Sequence, residues 1–298
     1  MKITVCGAGG YVGRRLSDYL ENKGHEVTRW VREQGDLMLP ECASAACEGA
    51  EMVFNLAANV GGIGFVSKEK ASCLLSSVIN SNLLQACVKH KVARYFFASS
   101  SCVYPSNLTE TPEEAAYPAD PSTEYGWEKL FSERLCQAFS SDYNLPTTVA
   151  RLHGVYGPGD VRQPGRDHVI AALCKKVISA KLSGVHEISI WGDGEQTRSF
   201  LFIDDCVEGI WRLASQGISG PVNLANSQQV SVNDLVTLIE EISGVRLQRF
   251  YSTNAPIGCK HKVSSNAQLR QLLHWEPSTL LRVGLEATYN DFWDRSLK

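Results

Sequence analysis

Ser100, Cys102, Tyr125 and Lys129 are the residues whose types and spacing point to chemistry. Tyr125 and Lys129 stand four apart, so on a helix they share one face. A phenol held beside an ammonium and a serine hydroxyl can take the proton of a substrate alcohol. A free phenol, with a pKa of about 10, is a poor base at neutral pH and needs a nearby cation to become a useful one. Cys102 adds a thiol two residues beyond Ser100, able to act as acid or base if its pKa of about 8.5 is lowered. The run Ser100-Ser101-Cys102-Val103-Tyr104-Pro105 follows an apolar stretch beginning at Arg94 that reads as a strand. Open parallel sheets bind ligands just beyond the carboxyl ends of such strands.

The elements needed to hold this group alternate along the chain. Lys2 to Cys6 is a short apolar strand that runs into Gly7-Ala-Gly-Gly10-Tyr-Val-Gly13 and then a helix from Arg14 to Asn22. Glycines at these spacings permit a tight turn, close approach to a pyrophosphate and close helix–strand packing, while the helix N-terminus offers unpaired amides. Gly7, Gly10, Tyr11, Val12 and Gly13 are therefore expected to hold a dinucleotide. A second strand spans His25 to Val31. Where a carboxylate would hold the ribose of NAD, it carries Arg29 and Arg32, with Asp36 and Leu37 following a short crossover. Arginine there can pair with a 2′-phosphate, which favours NADP over NAD. A third strand, Met52 to Ala57, puts Ala57 and Ala58 at the same cofactor edge. The loop Gly61-Gly-Ile-Gly64 is open enough to approach a ligand. A long helical pattern from Ser67 to Lys91, a fourth strand, a helix from Thr123 to Tyr143 carrying Tyr125 and Lys129, and a fifth strand from Thr147 to Leu152 complete the first half. Alternation of this kind predicts an α/β fold, a Rossmann-type doubly wound parallel sheet with right-handed crossovers.

From Tyr156 the texture changes to turn clusters and short strands. The expected division is a dinucleotide-binding domain over residues 1–160 and a smaller, mixed α/β substrate lobe over 161–298. Strands near 188–224 are expected to rejoin the first sheet.

The bulk numbers fit a globular enzyme. The 298 residues are 44% hydrophobic, ample for a core. A net charge of −3 gives no electrostatic case for nucleic acid or an anionic membrane. No apolar run approaches the roughly 18 residues of a membrane span, and the first residues already form a strand. A cytoplasmic location is expected. The ten cysteines include no C-x-x-C, which argues against a zinc ribbon and for small core residues; no metal is expected.

Together, Gly7-x-x-Gly10-x-x-Gly13, Ser100, Tyr125-x-x-x-Lys129 and Tyr156-Gly-Pro-Gly resemble the extended short-chain dehydrogenases/reductases that act on nucleotide sugars. Three longer stretches carry the resemblance to the GDP-mannose 3,5-epimerase branch: Val53 to Phe65, Phe97 to Pro105 and Trp191 to Phe200. The GDP-fucose synthase branch is similar next. The resemblance implies an NAD(P)-dependent isomerase that oxidises a sugar at C4, inverts C3 or C5 or both, and reduces C4 again. It also implies a homodimer. Ser100, Tyr125 and Lys129 would serve the hydride step, with Tyr125 and Lys129 also touching the cofactor. Cys102 and His168 would be the acid–base pair, His168 standing where the epimerase branch has lysine and the synthase branch histidine. Gly62, Gly64, Ser100, Ser101, Lys176, Gln196, Arg198 and Lys260 are the candidate substrate contacts, with Arg198 matched to the diphosphate through bidentate bonding. Gly154 stands where relatives place an asparagine. The alternative is an NADPH-dependent epimerase and 4-ketoreductase of the synthase type.

Overall fold

The structure, a computed structural model, describes residues 1–161, 165–255 and 263–297. Six parallel strands form the central sheet in the order Gly220–Leu224, Thr147–Leu152, Arg94–Ser100, Met52–Asn55, Lys2–Cys6, Glu26–Trp30. The doubly wound parallel sheet is thus as the alternation predicts. Its strands are nearly continuous apolar runs because both faces are covered. On one face Ile3, Val5, Phe54 and Phe96 pack with Leu16 and Leu20 of helix Tyr11–Asn22 and Ile210 and Leu213 of helix Ile203–Ser215. On the other, Cys6, Val53, Tyr95 and Phe97 meet Leu83, Leu84 and Cys87 of helix Ser76–His90 and Cys136 of helix Glu124–Tyr143.

The second strand is short, ends at Trp30 and is followed by a single 3₁₀ turn and helix Pro40–Cys47. Met52–Asn55 then pairs on the far side of Lys2–Cys6, in register Ile3 to Met52. Crossovers therefore run in opposite directions on either side of the first strand, and a crevice opens there at the carboxyl end.

Three expectations change. The helix expected from Ser67 to Lys91 is broken into Lys70–Leu74 and Ser76–His90, preceded by the short turn Ile63–Val66. The preceding loop docks at the break, where the Asn59 N–H donates to Ser76 Oγ at 3.0 Å. By length and composition alone Lys70–His90 reaches the apolarity of a membrane span, against the expectation that no segment does. In the fold it lies on the sheet with Ser76, Asn80, Leu83, Leu84 and Cys87 buried. Finally, of the strands near 188–224 only Gly220–Leu224 joins the main sheet, pairing Val222 with Ala150. Glu187–Trp191 pairs instead with Gln248–Ser252. Its alternation of buried Ile188 and Ile190 with exposed neighbours suits a sheet covered on one face, whereas Val222 to Leu224 are all buried. Ile188 and Ile190 belong to a second core with Ile170, Leu173 and Val177 of helix Val169–Ser183 and Leu285 and Phe292 of helix Leu281–Ser296.

Candidate active site

Ser100 is the last residue of its strand, and Ser101–Val103 form a single 3₁₀ turn beyond it. The Cys102 N–H donates to Ser100 Oγ at 3.2 Å, which folds the turn back over the strand end. Facing it, helix Glu124–Tyr143 starts at Thr123, whose hydroxyl accepts from the Gly126 N–H at 3.2 Å. The helix packs without a gap because residue 126 is glycine. A Cβ there would lie 2.2 Å from the Cys102 carbonyl oxygen. This brings Tyr125 against the turn, and Ser100 hydrogen-bonds its phenol. Burial first, then the neighbouring Cys102 and Glu128, push the Tyr125 phenol far above its ordinary range, against the lowering effect of Ser100. Without a bound cation Tyr125 is a proton donor. Lys129 Nζ, also buried, lies 5.6 Å from the Tyr125 ring centre and 4.7 Å from that of Phe97. The predicted quartet of Ser100, Cys102, Tyr125 and Lys129 is assembled, with Cys102 and Tyr125 in one apolar cluster beside Val60, Ile63 and Phe65.

The segment that carries His168 packs against the glycine loop. The Gly62 N–H donates to the Arg166 carbonyl at 3.1 Å, and a Cβ on Gly62 would strike the Asp167 carbonyl oxygen at 2.2 Å. A Cβ on Gly64 would meet the Trp191 ring at 3.2 Å. The loop was expected to free its backbone for the hexose. The geometry corrects this: the glycines make room for the Asp167 carbonyl and the Trp191 ring, and the Gly62 amide is already used. Arg166 completes the clasp, donating to Asn59 Oδ1 at 2.7 Å and lying 4.0 Å over the Phe65 ring. His168 stands at the N-cap position of helix Val169–Ser183, half-buried, without a side-chain capping bond, one residue beyond the contact. Ile63, the next residue after Gly62, belongs to the apolar cluster that includes Cys102 and Tyr125.

The dinucleotide turn tests well for an anionic cofactor. Gly7 adopts a φ of +83°, and a Cβ there would lie 2.8 Å from the Ala57 nitrogen. A Cβ on Gly13 would lie 2.2 Å from the Gly7 carbonyl oxygen. Gly10 precedes helix Tyr11–Asn22 with no side-chain cap, leaving first-turn amides for phosphate. Tyr11 is buried in the core with its hydroxyl beside Gly157, while Val12 is half-buried. Ala57 and Ala58 edge the crevice, with the Ala57 N–H held by Asn55 Oδ1 at 3.1 Å. Around the second strand the outcome is divided. Arg29 donates to Glu21 at 2.6 and 2.9 Å and to Asp18 at 2.6 Å. Its fork is occupied, which corrects its assignment to a 2′-phosphate. Arg32 is exposed and forms no ion pair among the described residues. Asp36 caps its own turn by accepting from the Met38 N–H at 3.0 Å, and Leu37 is a core residue.

Of the remaining substrate candidates, Gln196 is buried, donates to the Trp191 carbonyl at 2.8 Å and keeps Oε1 without a partner among the described residues. Arg198 is half-buried and donates to the Thr197 carbonyl at 2.7 Å. Lys176 donates to the Ser189 carbonyl at 2.6 Å, and partial burial lowers its pKa. Ser101 lies in the Cys102 turn, and Lys260 lies outside the described residues.

Three contributors escaped the sequence reading. Gly126 and Arg166 are described above. The third is Arg151, fully buried, which grips Glu133 at 2.9 and 2.7 Å and donates to Tyr104 Oη at 2.9 Å and the Glu113 carbonyl at 2.7 Å. Tyr104 in turn donates to Asn223 at 2.6 Å. The turn that carries Cys102 is therefore fixed from behind. A charge inside the apolar run Val149-Ala-Arg-Leu152 was the available signal, since a buried arginine must be paired.

Comparison with known proteins fits this geometry. The NAD dependent epimerase/dehydratase family matches residues 3–225. The chain belongs to that family. It is 32% identical to GDP-mannose 3,5-epimerase of Arabidopsis thaliana, over 98% of this chain and 82% of that protein. It is 28% identical to GDP-L-fucose synthase of Sinorhizobium fredii, over 98% and 95%. Among solved structures, UDP-glucose 4-epimerase of Thermotoga maritima with UDP-glucose superposes with a TM-score of 0.88 at 24% identity, covering all of both chains. The family member described here is thus an NAD(P)-dependent enzyme of the nucleotide-sugar epimerase and reductase group, with the fold of its relatives.

Proposed function

We propose that this epimerase-family enzyme inverts a GDP-hexose at C3, C5 or both. A sugar C–H is too weak an acid to lose its proton unless C4 is first made a ketone. Bound in the glycine cradle, the nicotinamide supplies reversible hydride uptake at C4. Ser100 orients the C4 oxygen, Tyr125 exchanges its proton, and Lys129 supplies positive charge beside the phenol. Inversion then needs an acid and a base on opposite faces of the ring, because one group alone returns the proton to the face it came from. Cys102 and His168 take those parts. The observation that carries this reading is that Cys102, Tyr125 and Ile63 share one apolar cluster, while Gly62, next to Ile63, packs against Asp167 and the His168 backbone. The substrate's nucleotide is assigned to the lobe from residue 161 onward, through Lys176, Gln196 and Arg198.

The test is solvent exchange. Incubated with GDP-mannose in heavy water, the enzyme is expected to place deuterium at C3 or C5. No deuterium at either carbon with any GDP-hexose overturns the reading. The unpaired Arg32 favours NADP and so gives support to the second reading, net reduction of a 4-keto sugar. Consumption of NADPH with a GDP-4-keto-6-deoxy sugar, and none with GDP-mannose, would establish that one.

We also assign the enzyme to a cytoplasmic carbohydrate-biosynthetic role as a homodimer. Leu74, Leu75, Trp127 and Phe131 support the dimer, as large apolar side chains exposed on neighbouring helices.

A further inference from the structure

A carboxylate that none of the steps above uses lies inside the site. Glu128 is 1% exposed, as deeply buried as any charged side chain in the fold. Its Oε1 accepts from Ser132 Oγ at 2.9 Å. Its Oε2 lies 3.3 Å from Lys129 Nζ and makes no hydrogen bond among the described residues. Burying a carboxylate is costly, and an apolar residue here would spare that cost. Lys129 and Ser132 on its own helix contact it, and its charge acts on Tyr125 and on Cys73 from helix Lys70–Leu74, with Cys102 beside Tyr125. Arg166 and Glu69 act on the same pocket through Cys73. Among the described residues the one cation in contact with Glu128 is thus Lys129.

We propose that Glu128 is a positioning residue that acts through Lys129 and Tyr125, balancing the lysine so that Tyr125 becomes a base only when the oxidised cofactor adds its positive charge. This rests on the hydride step proposed above. Lys129 favours the phenolate, and burial, the largest cause, holds the phenol protonated. A fixed anion beside the pair opposes the lysine's effect, and its charge already raises the phenol here. The site then changes character with the cofactor. With oxidised nicotinamide, the C4 hydroxyl proton goes to the Tyr125 oxygen, the C4 hydride goes to the cofactor and the C4–O bond becomes a carbonyl. With the reduced, neutral cofactor Tyr125 stays protonated and is ready to return that same proton. An enzyme that must hold a ketone while neighbouring carbons exchange protons, and then reduce it, needs this dependence.

Glu128→Gln keeps the shape and removes the charge. We titrate the Tyr125 phenol by ultraviolet difference against Tyr125→Phe with oxidised NADP bound, whose positive charge brings the phenol down from where burial holds it, then measure the pH profile of sugar oxidation with NAD and NADP. The phenol midpoint is expected to fall by about one pH unit, the lower end of the effect of a charge at this range. The acid limb of the oxidation profile should move the same way. Glu128→Asp retains charge slightly withdrawn, and should give a smaller shift in the same direction; it carries the test if the glutamine variant does not fold. An unmoved or raised midpoint overturns the proposal, a raised one meaning that Glu128 serves only to keep Lys129 charged. The titration needs no sugar. A shifted midpoint with no deuterium exchange therefore upholds Glu128 while refuting the epimerase assignment.

Discussion

Two glycine-rich loops edge the same crevice, and they use glycine for opposite ends. In residues 7–13 the missing side chains let the turn close on itself and on Ala57, leaving uncapped helix amides facing outward. In residues 61–64 the space is filled by another part of the chain, the Asp167 carbonyl against Gly62 and the Trp191 ring against Gly64. One loop exposes backbone to a ligand and the other hides it against a neighbouring lobe. A glycine cluster therefore marks close approach, and only the identity of what approaches says whether a ligand is involved.

Breaking each loop in turn should separate the two roles. Gly13→Ala should have the largest effect. Its Cβ has nowhere to go, and overpacking of this kind costs about 1–3 kcal/mol, so NADP and NAD affinity should fall roughly ten- to hundredfold in a calorimetric titration. Gly62→Ala should leave cofactor affinity within about twofold yet slow deuterium exchange at C3 or C5 roughly tenfold or more, since a displacement near 1 Å is enough to misplace a proton-transfer group. If instead cofactor binding fails with exchange, the two loops are not distinct. Arg166→Met loosens the same clasp without forcing it apart, and should lower exchange by about threefold to tenfold. The smallest effect concerns the far end of the cofactor. Arg32→Ala should weaken NADP about fivefold and leave NAD unchanged, as expected for loss of one partly exposed charge pair of about 1 kcal/mol. Arg29→Ala, already paired in the protein with Asp18 and Glu21, should shift neither.

The contrast also explains what could be read from the chain. The first loop lies between a strand and a helix only a few residues apart, so local order fixed both its shape and its use. Ser100, Cys102, Tyr125 and Lys129 were legible for the same reason, being bound to a strand end and one helix face. The partner of Gly62 lies about a hundred residues away, and nothing near it signals that contact. Arg29 failed likewise. Its carboxylates, Asp18 and Glu21, sit on the adjoining helix in plain view, but strand geometry decides which way the guanidinium turns. Glu187–Trp191 was misassigned because a short strand does not name its partner. Its alternating burial was visible in the order of residues and was the clue to a one-sided sheet.

The last strand to join the sheet has a consequence for how the enzyme is made. Thr147–Leu152 is flanked by Arg94–Ser100 and by Gly220–Leu224, and some seventy residues emerge from the ribosome in between. Until Gly220–Leu224 appears, the nascent sheet ends in a bare apolar edge, the kind of ribbon that recruits foreign strands. Asn223 is also the residue on which Tyr104 closes its bond, so the thiol-bearing turn stays unlatched during the same interval. The N-terminal half therefore completes neither its sheet edge nor the support of its thiol-bearing turn until residue 224 has left the tunnel.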